Sequence, residues 1–259
     1  MSTTPGRDTV LCISLAGRPG TFGVRFHNHL YQQLGLDFYY KAMRTDDLPA
    51  AVAGIRALGI RGCGVSMPYK EACMALVDEI DPSAAAIESV NTLVNTNGRL
   101  KAYNTDYLAV RQLLTRHQVD PATAFALRDA GFAEGTIVAR NAQAGQQLAD
   151  MCGYRWLPEL GDICPPMLVN VTPIGMAGGA EAEALAFSDI AIAAAERVFD
   201  VVAMPAQTPL IRRAQALGKP VITGLEVIAL QALEQFVLYT GVRPTQAQVD
   251  AAVAYARDS

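Results

Sequence analysis

The apolar positions of this chain alternate between short β-branched or aromatic runs and longer stretches at helical spacing. Strand-like runs occupy 9–15 (TVLCISL), 37–43 (DFYYKAM), 60–66 (IRGCGVS), 135–140 (GTIVAR), 166–172 (PMLVNVT), 197–202 (RVFDVV) and 219–223 (KPVIT). Helical periodicity fits 24–35, 47–58, 69–76, 106–116, 142–152, 207–217 and 225–240. This order predicts an α/β fold built on mainly parallel sheets. The segment 89–106, SVNTLVNTNGRLKAYNTD, breaks the rhythm: it holds two alternating runs around Asn97-Gly98, which predicts a two-residue hairpin.

At 113–121 the sequence LLTRHQVDP turns polar before a new series of strands and helices begins. A domain boundary is expected there, with residues 1–112 as a first α/β domain and 113–225 as a second. The last two helices, about 226–257, have no strand after them, so they are expected to pack back on the first domain. The 259 residues are enough for two such cores.

Composition narrows the function by exclusion. A net charge of −4 with no lysine-arginine cluster argues against nucleic acid as a partner. No run approaches the apolar length of a membrane span and the N-terminus does not read as a signal peptide, so a cytoplasmic protein without a membrane partner is expected. The five cysteines are scattered without a CxxC pair and are expected to be reduced, buried thiols. The three histidines, His27, His29 and His117, have no metal-binding spacing, so no metal site is expected.

The stretch GVSMPYK (64–70) places Lys70 just beyond a strand end, where open α/β sheets collect ligands. Pro68 suits the first turn of a helix. A solvated lysine is the plain alternative for Lys70, and helix capping is the plain alternative for Asp106, which precedes the helical run YLAVRQLL. A lysine and an aspartate meeting at one site could instead transfer protons, because each charge shifts the other's pKa and holds it in place.

Together GVSMPYK, SVNT (89–92), YNTD (103–106), NVTPIGM (170–176), DVVAMPAQTPL (200–210) and ITGLEVIALQALEQF (222–236) resemble the shikimate dehydrogenase family, over roughly residues 9–241. The resemblance implies an N-terminal substrate-binding domain and a Rossmann-like doubly wound NADP-binding domain with a cleft between them. It also implies reversible oxidation of a ring hydroxyl by hydride transfer to NADP. Lys70 and Asp106 then resemble the catalytic pair, and Thr21, Ser66, Asn91 and Gln231 the polar contacts to a small hydroxy-acid substrate such as shikimate or quinate. Thr172, Met176 and Gly224 resemble contacts on the nicotinamide side. The implied assembly is a monomer or a homodimer.

The chain departs from that pattern in three places. In RPGTFGVRFHN (18–28) the family's two carboxylate-binding serines and following proline are replaced by Thr21, Gly23 and Val24. His27 and Asn28 match the family and are expected to be structural. Ala203 stands where many members carry a tyrosine. The third departure is larger: no GxGxxG or GxGGxx occurs anywhere in the chain, although a pyrophosphate normally rests on such a turn at a helix N-terminus. The stretch from Asp106 to Arg140 is about a dozen residues shorter than a family member needs for that strand, turn and helix start. Gly131 to Gly135 is no substitute, since it reads as a helix C-cap.

Two explanations stay open. Either the complete protein carries a glycine-rich turn between Gln118 and Phe125 that this sequence does not show, or the turn is deleted and NADP binds poorly. The former is expected, because ATAFALRDAG cannot serve as both strand and covering helix. The surviving half of the site favours NADP: GTIVAR ends in Arg140-Asn141, with no carboxylate for an unphosphorylated ribose and a guanidinium able to pair with a 2′-phosphate. The sequence thus supports an NADP-dependent dehydrogenase of shikimate type or, alternatively, a substrate-binding or regulatory homologue that lacks the cofactor.

Overall fold

The structure, a computed structural model, describes residues 4–85, 87–117 and 134–257. The glycine-rich turn expected between Gln118 and Phe125 lies outside the described residues. The chain forms two compact units, residues 1–109 with 229–259 and residues 110–228.

In order, the first unit carries β1 (Val10–Ala16), α1 (Phe22–Gln33), β2 (Phe38–Arg44), α2 (Leu48–Ala57), β3 (Gly62–Val65), a 3₁₀ turn (Ala72–Leu76), β4 (Glu79–Ile80), α3 (Pro82–Ala85), β5 (Thr92–Thr96) and β6 (Arg99–Tyr103). α4 (Thr105–Arg116) leads into the second unit, which holds β7 (Thr136–Val138), α5 (Ala142–Cys152), β8 (Arg155–Leu157), β9 (Met167–Asn170), α6 (Asp189–Ala194), β10 (Arg197–Asp200), α7 (Pro209–Ala216) and β11 (Val221–Thr223). α8 (Gly224–Thr240) returns the chain to the first unit, where α9 (Gln246–Arg257) ends it. The change of unit thus falls inside two continuous helices, α4 and α8.

The first unit is built on a six-stranded sheet of order β2-β1-β3-β5-β6-β4. β1 pairs in parallel with β2 and β3, whereas β5 runs antiparallel to both β3 and β6. The sheet is therefore mixed, with three parallel pairings and two antiparallel ones, both of which involve β5. The hairpin is the reason: Asn97 (φ 54°) and Gly98 (φ 85°) both take positive φ, as a type I′ turn requires, and send β6 straight back along β5. Asn95 fastens the turn by accepting from Gly98 N–H at 2.8 Å. α2 starts on Asp47, whose side chain accepts from Ala50 N–H at 3.0 Å, and buries Leu48, Val52 and Ile55 against Ile13, Val65 and Leu93.

The helix expected over 69–76 shrinks to the 3₁₀ turn because the Lys70 carbonyl accepts from Val90 N–H (3.0 Å) and is lost to helical bonding. On the other side of the sheet, α1 buries Phe26, His27, Leu30 and Tyr31. α9 packs along α1, with Tyr255 stacked on His29 at 4.8 Å between ring centroids and the Arg25 guanidinium over the Tyr255 ring. Gly62 in β3 admits α8: a Cβ there would lie 2.2 Å from the Tyr239 ring.

In the second unit the described strands pair in parallel, as β11-β10-β9 and as β7-β8. Leu168, Val198, Leu210 and Ala214 form the core between strands and helices. The periodic pattern over 142–152 becomes α5, capped by Asn141 (Ala144 N–H to Oδ1, 3.1 Å) and ended at Gly153 with φ 70°. β4, β8 and α6 have no counterpart in the sequence reading, being too short to show a period.

All five cysteines are free, but the expectation of burial holds for only three. Cys12, Cys63 and Cys73 are buried, Cys152 is half-buried and Cys164 is exposed. Burial pushes the Cys12 thiol up to about 12 and that of Cys73 up to about 11, which keeps both protonated and unreactive. Among the described residues no helix is long and apolar enough to cross a membrane, and no cluster of His, Cys, Asp or Glu could hold a metal.

Candidate active site

The first unit assembles the polar residues at the C-terminal end of β3. There Val65 N–H donates to the Asn91 carbonyl (2.7 Å), Ser66 N–H to Leu15 O (2.9 Å) and Gly17 N–H to Met67 O (3.1 Å). These bonds tie the loops after β1 and β3 to each other and to the start of β5. Asn91 is buried, and its Oδ1 accepts from Thr105 N–H (2.8 Å) and from the hydroxyls of Thr105 (3.1 Å) and Thr92 (2.7 Å). One side chain therefore positions the start of α4.

The capping residue of α4 is Asn104. Its Oδ1 accepts from Tyr107 N–H (2.9 Å), and its Nδ2 donates to Ser89 O (2.8 Å). Asp106, for which capping was the plain alternative, is thereby released from that duty. Its Oδ2 accepts from Lys70 Nζ at 2.7 Å, across 36 residues of sequence. The two side chains keep 31% and 39% of their surface, so a ligand can reach a pair that is nonetheless fixed. The N-terminus of α4 favours the carboxylate by its dipole. The pair can exchange a proton with a bound hydroxyl while the carboxylate keeps the ammonium in place.

The other residues expected to meet substrate also lie in this unit. Ser66 is exposed directly after β3, and Thr21 is exposed at the head of α1, where its side chain makes no capping bond. Gln231 is half-buried on α8. One turn further on, Gln235 is buried, and its Nε2 donates to the Asn91 carbonyl (3.2 Å) and the Thr92 hydroxyl (3.0 Å). Gln235 was missed by the sequence reading; its spacing of four from Gln231 on one helix is the signal that could have found it.

Tyr40 fills the space left by two glycines. A Cβ at Gly64 would come within 2.9 Å of the Tyr40 hydroxyl, whereas one at Gly23 would meet it at an ordinary 3.7 Å. His27 and Asn28 are structural. Asn28 bonds both ways to the backbone of Tyr40, at 2.8 and 2.9 Å, and the fully buried His27 ring stacks on the Tyr40 ring at 4.4 Å.

The residues expected to contact cofactor all lie in the second unit. Arg140 follows β7, is exposed, and its Nη2 donates to both carboxylate oxygens of Glu181 (2.8 and 3.1 Å). Asn141 spends its side chain on capping α5. Thr172 donates its N–H (3.0 Å) and hydroxyl (2.7 Å) to Asn170 Oδ1, and Met176 is exposed. Asn170, Asp200 and Thr208, which the sequence reading assigned no role, form a buried chain: Asn170 Nδ2 donates to Asp200 Oδ1 (3.0 Å) and the Thr208 hydroxyl to Asp200 Oδ2 (2.6 Å). It joins β9, β10 and the head of α7, and burial raises the Asp200 carboxyl above the usual carboxylate range. An isolated aspartate ending an apolar strand was the available signal.

Gly224 opens α8 in close contact with the extension of β10. A Cβ there would stand 2.4 Å from Val202 C and O, so Gly224→Ala forces backbone apart. An expected loss of about 1–3 kcal/mol in stability, read from urea unfolding, follows from overpacking of this kind.

These elements define the chain as a two-unit α/β protein, one unit with a mixed sheet bearing a lysine–aspartate pair and the other with a parallel, Rossmann-like sheet. Residues 21–93 match the model of the shikimate dehydrogenase substrate binding domain. The chain is 51% identical to a shikimate dehydrogenase-like protein of Haemophilus influenzae, over 97% of this chain and 98% of that one. A solved shikimate 5-dehydrogenase-like protein superposes with a TM-score of 0.94 at 50% identity, covering 98% of this chain and 100% of that chain. Shikimate 5-dehydrogenase of Thermus thermophilus, solved in complex with NADP(H) and shikimate, follows with a TM-score of 0.83 at 29% identity, covering 95% of this chain and 99% of that chain. The chain belongs to the shikimate dehydrogenase family. The match to the Haemophilus protein runs over 265 residues, more than the 259 present here, so that relative carries internal residues which this chain lacks.

Proposed function

We propose that this protein is an NADP-dependent oxidoreductase that interconverts shikimate, or a close relative such as quinate, with the corresponding ring ketone. The observation that carries the reading is the Lys70 Nζ–Asp106 Oδ2 bond at 2.7 Å, in a pair that solvent reaches. The Thermus relative's complex with NADP(H) and shikimate supports the same substrate and cofactor. NADP, when bound, supplies the hydride acceptor, and in its reduced form the donor. In the oxidative direction the uncharged Lys70 amine takes the proton of the reacting hydroxyl, and in the reductive direction the ammonium so formed returns it. Asp106 accepts a hydrogen bond from Lys70 and keeps it aimed at that hydroxyl. Ser66, Gln231 and the Asn91 amide bind the remaining hydroxyls, and Thr21 holds the carboxylate. Gly23 provides no second hydroxyl, so carboxylate binding is weaker than a two-serine site would give.

The second unit's residues fit NADP on their own chemistry. Arg140 presents an exposed guanidinium at the end of β7, and no Asp or Glu stands at 139–141. Arg140 would hold the 2′-phosphate, with Thr172, Met176 and Gly224 on the nicotinamide side. The test is a steady-state comparison of NADP with NAD. Arg140→Ala should lower kcat/KM with NADP by about 10–100-fold, the worth of a charge-assisted bond, and leave NAD use nearly unchanged. An equal or higher kcat/KM with NAD in the unaltered protein would overturn the assignment.

A second reading, a substrate-binding or regulatory homologue without dehydrogenase activity, is favoured by the absence of any glycine-rich phosphate motif in the sequence. Calorimetry separates the two: shikimate binding with no detectable NADP binding would establish the second.

A further inference from the structure

We propose that Glu181 sets the preference at the adenosine 2′ position by holding the Arg140 guanidinium until a 2′-phosphate displaces it. The inference rests on the NADP reading above. Arg140 gripped by Glu181 is a cation already neutralised, and an incoming phosphate must compete with a carboxylate for the same N–H groups. The grip is of a weak kind. Both carboxylate oxygens draw on the single Nη2, and Arg140 Nε and Nη1 donate to no described residue. A phosphate can approach from that open side and take two nitrogens in parallel, which is the stronger geometry for a guanidinium. The ion pair is also well exposed, 75% for Arg140 and 45% for Glu181, so its loss costs little.

The loop is arranged so that the side chain can leave without the backbone. Glu181 O accepts from Gly175 N–H (2.9 Å) and from Ala184 N–H (3.1 Å), and Ala177 N–H donates to Met204 O (3.0 Å). These bonds anchor the segment that bears Met176 while the Glu181 carboxylate stays at the surface. Glu183, two residues on, supplies an internal control: its carboxylate reaches Arg212 at 3.4 Å, whereas Arg140 pairs with Glu181.

Binding of 2′,5′-ADP and of 5′-AMP to the full chain tests this, read by calorimetry and by the fluorescence of Trp156. That residue is the chain's one tryptophan, and its indole donates to Ala139 O beside Arg140 at 3.2 Å. Glu181→Gln should tighten 2′,5′-ADP by about 2- to 5-fold, the range for an exposed ion pair, and leave 5′-AMP unchanged. Glu183→Gln should alter neither. An unchanged 2′,5′-ADP affinity in Glu181→Gln, an equal gain for 5′-AMP, or an equal gain in Glu183→Gln would each overturn the proposal. Arg140→Ala separates its failure from that of the cofactor reading. If that variant weakens 2′,5′-ADP while Glu181→Gln does nothing, only the role of Glu181 falls. If Arg140→Ala leaves 2′,5′-ADP as tight as before, or the unaltered chain binds neither nucleotide, both fall.

Discussion

Replacing Lys70 by alanine should lower turnover about 10²–10⁴-fold, the usual contribution of a positioned general acid–base group. The fold should survive. Lys70's structural bond is its carbonyl's acceptance of Val90 N–H, which alanine keeps, and its side chain is about a third exposed. Lys70→Arg distinguishes proton transfer from a merely electrostatic role. Arginine preserves the charge and the partnership with Asp106 but cannot give up its proton in a protein. If Lys70 moves a proton, arginine should be nearly as damaging as alanine, with the loss in kcat and not in KM. Recovery of most of the turnover by arginine would make Lys70 an electrostatic anchor, and unimpaired turnover in the alanine variant would make it a surface charge.

Acid should destabilise the protein through His27. The ring is fully buried among Phe26, Tyr31, Tyr40 and Phe236, and neither nitrogen has a hydrogen-bond partner among the described residues. Burial lowers its pKa from 6.5 to about 3, an effect the nearby Gln235 side chain offsets only in part. The unfolded chain therefore takes up a proton near pH 6.5 that the folded chain refuses until about pH 3. Between these values the unfolded state binds more protons, so stability falls as the pH falls, by about 1.4 kcal/mol per pH unit at most. Over the whole window that amounts to roughly 5 kcal/mol, comparable to the lower end of a domain's total stability. His27→Phe keeps a ring on Tyr40 and removes the titration. Urea unfolding between about pH 7 and about pH 4 should show the variant losing clearly less stability than the parent protein. Parallel losses would mean that His27 does not carry the acid response.

Much of the secondary structure was legible because its signals are local. Each of the seven strand-like runs overlaps an observed strand, and Asn97-Gly98 makes the hairpin turn, since positive φ at two adjacent positions favours those residue types. The misses are equally physical. Three-residue β8 and two-residue β4 hold too few positions to show a period of two, and α6 is a six-residue helix. α4, expected from 106, starts at Thr105, and its cap was left open because Asn104, Thr105 and Asp106 can each cap a helix. The choice of Asn104 depends on Asn91 holding Thr105 from 14 residues away.

Sequence by itself determined the elements, the alternation that makes the fold α/β, and the set of residue types available for chemistry. It placed a lysine after a strand end, an aspartate at a helix start and an arginine after another strand, because periodicity and turn chemistry act between near neighbours. Which side chains meet was decided by the tertiary structure. Lys70 reaches Asp106, Arg140 reaches Glu181 41 residues on, and Gln235 reaches Asn91 across 144 residues, all through packing that local patterning does not encode. The same holds for the mixed sheet, for the need for glycine at 62, 64 and 224, and for the burial of His27. Each depends on elements distant in sequence stacking within a few ångströms, where the cost of a clash or of a buried charge is set by the neighbour and not by the residue itself.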